Sequence, residues 1–201
     1  MTDAVTMRPD VKSPPVFTQD EIGWVPWLEP LAIASLTPKH WAGLVDEARS
    51  KSDYFMLLVR DPGILEARTL TDKDIFYNSD GGLPRAEREL AALAVSRFNG
   101  CIFCASVHAR FASTYSKRRD AIERILAEGI AADVGERWNA IIAASVALTQ
   151  TPSVFGAKHV KRLRDAGLDD LAVVDVIQSA AFFNWANRLM LSLGEPDAAG
   201  S

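Results

Sequence analysis

The stretch that decides the fold runs from Pro84 to Ser116 and reads PRAERELAALAVSRFNGCIFCASVHARFASTYS. Pro84 suits the start of a helix and Asn99-Gly100 supplies a C-cap, so a helix is predicted over about 84–98. A second helix follows from Cys101 to about Ser116. The turn between the two is too short for anything but antiparallel packing. Outward from this pair the punctuation is of the same kind. Thr37 before Pro38, and Asp61 before Pro62, each set a capping side chain ahead of a proline at the first helical position. They open predicted helices over about 38–49 and 62–79. Downstream, Lys117–Glu128 ends at Gly129, and a segment with Asp133 and Glu136 at capping-box spacing runs to Pro152. A helix near 156–165 ends at Gly167, and the last spans Asp169 or Asp170 to about Leu193. Asp53–Arg60 (DYFMLLVR) reads as a short helix or a buried strand, because so short an apolar run does not separate the two.

No pair of segments alternates at period two across an Asn-Gly or Asp-Gly turn, so a sheet has little support and the predicted class is all-α. Pro9, Pro14, Pro15, Pro26 and Pro30 make residues 1–35 an irregular arm. Thr18 to Glu21 has capping-box spacing, with room for one short turn before Pro26. Trp24 and Trp27 indicate that the arm packs on the body or on a neighbouring subunit. Residues 36–195 read as a single helical domain, with no internal repeat, low-complexity tract or linker.

Composition narrows the class further. The chain has 201 residues, 48% of them apolar, with a formal charge of −4. A domain of this size buries roughly 70% of the surface its unfolded chain exposes and needs no disulfide or metal staple. No basic excess draws nucleic acid. The longest largely apolar stretch, 141–148, falls far short of the roughly 20 residues that cross a bilayer, so no membrane is expected. Met1–Pro15 contains no apolar run behind a basic start, and the expected location is cytoplasmic. The two cysteines, Cys101 and Cys104, lie three positions apart and cannot join distant parts of the chain. In a reducing compartment such a pair more often does redox chemistry or binds metal.

On a helix Cys101, Cys104 and His108 stack in one column. Cys101 lies in the first turn, where free amides and the helix dipole favour a thiolate. His108, one turn beyond Cys104, can take a thiol proton and, as imidazolium, stabilise the thiolate. Dipole and histidine thus favour different sulfurs. A base that can also return a proton to a leaving hydroxyl is the more specific arrangement, so Cys104 is read as the nucleophile and Cys101 as the resolving thiol. The preceding helix offers Glu87 and Glu89 to orient the imidazole, and periodicity does not choose between them.

Glu89, eleven intervening residues, Cys101-x-x-Cys104, three residues and His108 match the E-x11-C-x2-C-x3-H signature of the AhpD-like alkylhydroperoxidase family, within the carboxymuconolactone decarboxylase superfamily. The surrounding ELAALAVSRFNGCIFCASVHA also resembles that family, and the length resembles its uncharacterised peroxidase-related branch. The motif region covers about 84–116. The resemblance selects Glu89. It implies an all-helical fold, assembly into trimers or hexamers, and thiol-dependent reduction of organic hydroperoxides or hydrogen peroxide in antioxidant defence. Cys104 would form a sulfenic acid, Cys101 would condense with it to a disulfide, and His108 with Glu89 would relay the proton. A partner thiol, which the chain does not identify, would supply the electrons. No cofactor or metal is called for. Some family members carry a histidine immediately before the second cysteine, where this chain has Phe103. The more apolar site suits a bulky organic hydroperoxide, removes one proton carrier and raises the thiol pKa.

Two other functions compete. The superfamily's other branch implies a carboxymuconolactone decarboxylase-like lyase, which has no need of paired thiols. A redox-sensing or zinc-binding helical oligomer would use the thiols, imidazole and carboxylate differently, although cysteines three apart on one helix suit zinc less well than a turn does. His40 and His159 lack partners at ligand spacing and read as surface or partly packed residues. Lys117, Arg118 and Arg119 read as a solvated face. Phe182, Phe183, Asn184, Trp185, Asn187 and Arg188 in the last helix read as core packing or as the wall of a substrate pocket or interface.

Overall fold

The structure, a computed structural model, describes residues 10–198 of the chain. The start of the predicted arm, with Pro9, lies outside the described residues. Nine α-helices are described: α1 Pro38–Leu44, α2 Asp53–Leu58, α3 Pro62–Tyr77, α4 Arg85–Asn99, α5 Ile102–Ser116, α6 Arg119–Glu128, α7 Glu136–Thr149, α8 Ala157–Asp165 and α9 Asp170–Leu193. The class is all-α, with one small two-stranded sheet, β1 Gly23–Pro26 against β2 Gly194–Asp197.

Helix α4 organises the rest. Every residue from Glu87 to Ser96 is buried, which requires cover on all sides of the helix. That cover comes from α5, α7 and α9, with α3 at its start. Leu90 and Leu93 are fully shielded, and burial of each side chain stabilises the fold by about 1.5–3 kcal/mol. The polar residues in this run are all partnered, as buried polar groups must be. Arg88 donates to the carbonyls of Leu83, Ile75 and Asn78 at 2.7–2.9 Å. Ser96 donates to Ala92 O and accepts from Asn187 Nδ2. Gly100 adopts the left-handed conformation, φ 80°, that ends α4. Cys101 N–H then donates to Ser96 O at 3.0 Å. The link between α4 and α5 is therefore only Gly100 and Cys101, and the two helices pack closely.

The proline-rich arm follows the body's surface. Strand β1 pairs antiparallel with β2, Gly23 opposite Asp197 and Pro26 opposite Gly194. Trp27 N–H extends the contact to Leu193 O at 2.8 Å, and Leu31 N–H reaches Met56 O at 3.1 Å. Trp24 packs edge-on against Tyr54, ring centroids 5.4 Å apart, so the arm supports α2.

Several local expectations change. The sheet joins the arm to the chain's far end, a pairing no local hairpin signal announces. Helix α1 stops at Leu44, because Val45 takes a left-handed turn (φ 65°) and Asp46 caps a 3-10 turn over Glu47–Lys51. Asp53–Leu58 is the helical alternative. Thr18 forms a turn with Asp20 instead of capping a helix. Asp133 does not cap α7 either. Its carboxylate accepts from Gly135 N–H and Asn139 Nδ2, and these bonds hold it below the usual carboxylate range.

Candidate active site

Cys101 is the N-cap of α5, and its sulfur accepts from the Cys104 backbone N–H at 3.4 Å. The two cysteines lie within disulfide distance and are joined in the structure, with Cα atoms 5.4 Å apart. Both are buried, packed with Tyr54 and Met190, with Trp24 and Phe103 alongside. Their surroundings differ. Cys104 lines a cavity of about 310 Å³ together with His108 and Glu89, and Cys101 does not. That volume is at the small end of ligand pockets.

His108 is 5% exposed and Glu89 is 1% exposed. Nδ1 of His108 lies 2.7 Å from Glu89 Oε2. A carboxylate only accepts, so the bond assigns the ring proton to Nδ1 and leaves the lone pair on Nε2, the tautomer a base on the cavity side requires. The Phe183 ring stands edge-on to the imidazole at 3.9 Å, and Phe76 lies at 5.5 Å. Both fix its orientation. Glu89 Oε1 accepts from Arg85 Nε at 3.1 Å. The Arg85 guanidinium sits over the rings of Tyr77 at 4.0 Å, Tyr115 at 4.4 Å and Phe111 at 5.1 Å. Burial works to lower its pKa and is outweighed by hydrogen bonds to Tyr77 and Glu89, so the group is held above its ordinary value. A chain of charge and hydrogen bonds thus runs Arg85, Glu89, His108 to the cavity that Cys104 lines.

The choice between two glutamates is resolved by direction. Glu87 points away from the cavity and takes both Arg137 Nε and Nη2, at 2.7 and 2.8 Å. Three of the four residues singled out in the motif, Glu89, Cys104 and His108, therefore line one cavity, and Cys101 joins them only through Cys104. Among the described residues no group of three or more His, Cys, Asp and Glu is arranged to hold a metal ion, and no helix is long and apolar enough to cross a membrane. His40 and His159 both cap their helices, Nδ1 accepting from Thr37 N–H at 3.0 Å and Gly156 N–H at 3.1 Å.

Three contributors have no signal in the motif. Arg85 stands four residues before Glu89, where i, i+4 spacing on a helix places a charge partner. Phe183, among the aromatic residues of α9, walls the cavity. Its neighbour Asn187 is fully buried and bonds Ser96 and Asn99 instead, so the segment is divided residue by residue between core and pocket. Tyr54, on α2, is 9% exposed and lines the cavity. Burial pushes its phenol pKa up, while the Arg68 guanidinium pulls against burial through its charge and a hydrogen bond. Arg68 itself is held between the rings of Phe55 and Phe182 at 5.5 and 5.4 Å and lies 3.5 Å from Asp72.

Residues 62–144 match the model of the carboxymuconolactone decarboxylase family. A comparison with curated protein sequences gives no match. Among solved structures, an uncharacterized peroxidase-related protein with the alkylhydroperoxidase AhpD core from Ralstonia eutropha JMP134 is similar, with a TM-score of 0.68 at 22% identity, over 81% of this chain and 87% of that one. An uncharacterized peroxidase-related protein from Silicibacter sp. TM1040 gives 0.67 at 19% identity, over 85% and 92%. The debrominase Bmp8 gives 0.65 at 17% identity, over 82% and 88%. The fold is thus that of the AhpD-like, peroxidase-related proteins. The family model matches over the stretch that holds Glu89, Cys101, Cys104 and His108, and the neighbours agree with it in fold.

Proposed function

We propose that this chain is a thiol peroxidase that reduces hydroperoxides through Cys104. The observation that carries the reading is the shared cavity, lined by Cys104 and by His108, whose Nδ1 is held by Glu89 at 2.7 Å. In the reduced protein His108 Nε2 takes the thiol proton. The thiolate attacks the terminal oxygen of the hydroperoxide, an S–O bond forms and the O–O bond breaks. Sulfur is oxidised by two electrons to a sulfenic acid, and the alcohol leaves with the proton from His108. Cys101 then attacks the Cys104 sulfur, water departs and the disulfide forms. The Cys104 N–H at the helix start favours a thiolate at Cys101, which suits it to this second attack.

An external thiol returns the two electrons and two protons and completes the cycle. Phe76, Phe103, Phe111, Phe183 and Met190 make the cavity walls largely apolar, which supports an organic hydroperoxide over hydrogen peroxide as the better substrate. Homo-oligomeric assembly and a cytoplasmic location complete the proposal. Stopped-flow mixing of reduced protein with cumene hydroperoxide tests it. Rapid oxidation that is abolished in Cys104→Ser is expected, and equal rates in the two proteins refute the assignment.

The family model's description favours a second reading, a lyase acting on a carboxymuconolactone-like acid. That chemistry does not use paired thiols. Decarboxylation that survives replacement of both cysteines by serine would select it.

A further inference from the structure

The proposed thiol chemistry gives the Tyr54 hydroxyl no role, yet the fold holds that phenol beside the reactive sulfur. Tyr54 packs with Cys101, Cys104 and Met190 and faces the cavity that Cys104 and His108 line. Its ring is fixed on two sides, by Trp24 of the arm and by Phe55, each with centroids at 5.4 Å. Arg68 and its partner Asp72 line the same cavity, and the Arg68 guanidinium acts on the phenol through its charge and as a donor. A guanidinium donates and cannot accept. A phenol oxygen beside that cation can accept from it and keeps its own proton to donate, on the wall of the cavity that Cys104 and His108 share. Burial keeps that proton in place at neutral pH.

We propose that the Tyr54 hydroxyl is a catalytic group of this site, donating a hydrogen bond to the leaving oxygen of a hydroperoxide as its O–O bond breaks on Cys104. The proposal rests on the peroxidase reading and assigns a group that the motif does not contain. Attack by the thiolate places developing negative charge on the leaving oxygen. A fixed donor in a dry site stabilises that charge without reorganisation. The net proton still comes from His108, which received it from the thiol, so Tyr54 ends the step protonated. Arg68 reinforces the donor, because a phenol that accepts from a cation gives up its own hydrogen more readily.

Two reactions of the same sulfur separate this role from a structural one. Peroxide oxidation expels an oxygen that gathers charge and needs a donor, whereas alkylation by iodoacetamide expels iodide, which needs none. Reduced wild-type and Tyr54→Phe proteins are mixed in stopped flow with cumene hydroperoxide and, separately, with iodoacetamide. Phenylalanine retains the ring contacts with Trp24 and Phe55. The expected result is a fall of about 10²-fold in the peroxide rate constant, typical of losing one donor to a developing oxyanion, with the alkylation rate unchanged. An unchanged peroxide rate overturns the proposal alone. Parallel losses in both reactions also overturn it, since the hydroxyl would then act on the thiol or on the fold. A wild-type thiol that peroxide does not oxidise removes the peroxidase reading and, with it, this proposal.

Discussion

Replacing Glu89 by glutamine removes one charge at the point where the site's hydrogen bonds converge. The carboxylate accepts from two donors, His108 Nδ1–H at 2.7 Å and Arg85 Nε at 3.1 Å. A glutamine has one acceptor oxygen, so one of those donors must face an NH2 group. If His108 does, its tautomer reverses, Nδ1 becomes the acceptor and Nε2–H points to the cavity, where it is no longer a base. Loss of a positioned general base costs about 10²–10⁴ in rate. Stability falls as well. A hydrogen bond to a charged group contributes about 1.5–3 kcal/mol, and Arg85 loses the anion that balances its charge. Its side chain is 18% exposed, so water offsets part of that loss, and a net cost of about 2 kcal/mol is expected. For a domain of this size that lowers Tm by roughly 4–8 °C.

The control is Glu87→Gln, two residues earlier on the same helix. Glu87 bonds Arg137, whose side chain is 36% exposed, and lies off the cavity. A pair so solvated contributes about 1 kcal/mol or less, and the peroxide rate remains at the wild-type value. Stopped-flow oxidation of the reduced proteins, with thermal melts on the same samples, measures both quantities. A wild-type oxidation rate in Glu89→Gln, or an equal loss of rate in Glu87→Gln, refutes the relay.

Three further outcomes follow from the same geometry. In Cys101→Ser, one equivalent of peroxide leaves Cys104 as a sulfenic acid that dimedone traps, and no disulfide appears by intact mass; disulfide-free wild-type protein after the same treatment would contradict the assigned roles. In Arg85→Met the Glu89 carboxylate loses its second donor and is held less firmly against His108. The peroxide rate then falls, and Arg85→Lys restores most of it; a wild-type rate in Arg85→Met would show that Arg85 has no part in positioning the relay. The raised phenol of Tyr54 carries its own signature, because the folded state holds the proton that the unfolded state releases. Stability from this group is fully present below the ordinary value of 10.0 and is lost as pH rises beyond it, so melts between neutral and alkaline pH show a decline that Tyr54→Phe flattens.

Most helices are legible because local chemistry marks their ends. Pro38 and Pro62 behind Thr37 and Asp61, and Gly100 after Asn99, act within one turn of chain, and the structure uses each of them. The β1–β2 pair is not legible, since its strands lie some 170 residues apart and neither alternates. The end of α1 is hidden for a different reason: Val45 adopts a conformation that valine rarely takes, so residue type gives no warning. Within the site, Cys101, Cys104 and His108 fall in one helical column and could be read directly. Glu89 needed more than periodicity, because Glu87 fits the same helix and only packing turns it toward Arg137. Tyr54 and Phe183 come from α2 and α9, far from the motif in the chain, and tertiary packing alone brings them to the cavity. The histidines outside the motif illustrate the converse: His40 and His159 are capping groups, and their position three residues into each helix is the signal that assigns them.

The central claim is that Cys104 and Cys101 exchange electrons with a hydroperoxide. Intact mass of the fully reduced protein before and after one equivalent of cumene hydroperoxide tests it most directly. Loss of two hydrogens is expected, with the resulting bond mapped between Cys101 and Cys104. An unchanged mass, with the peroxide remaining in solution, would contradict it.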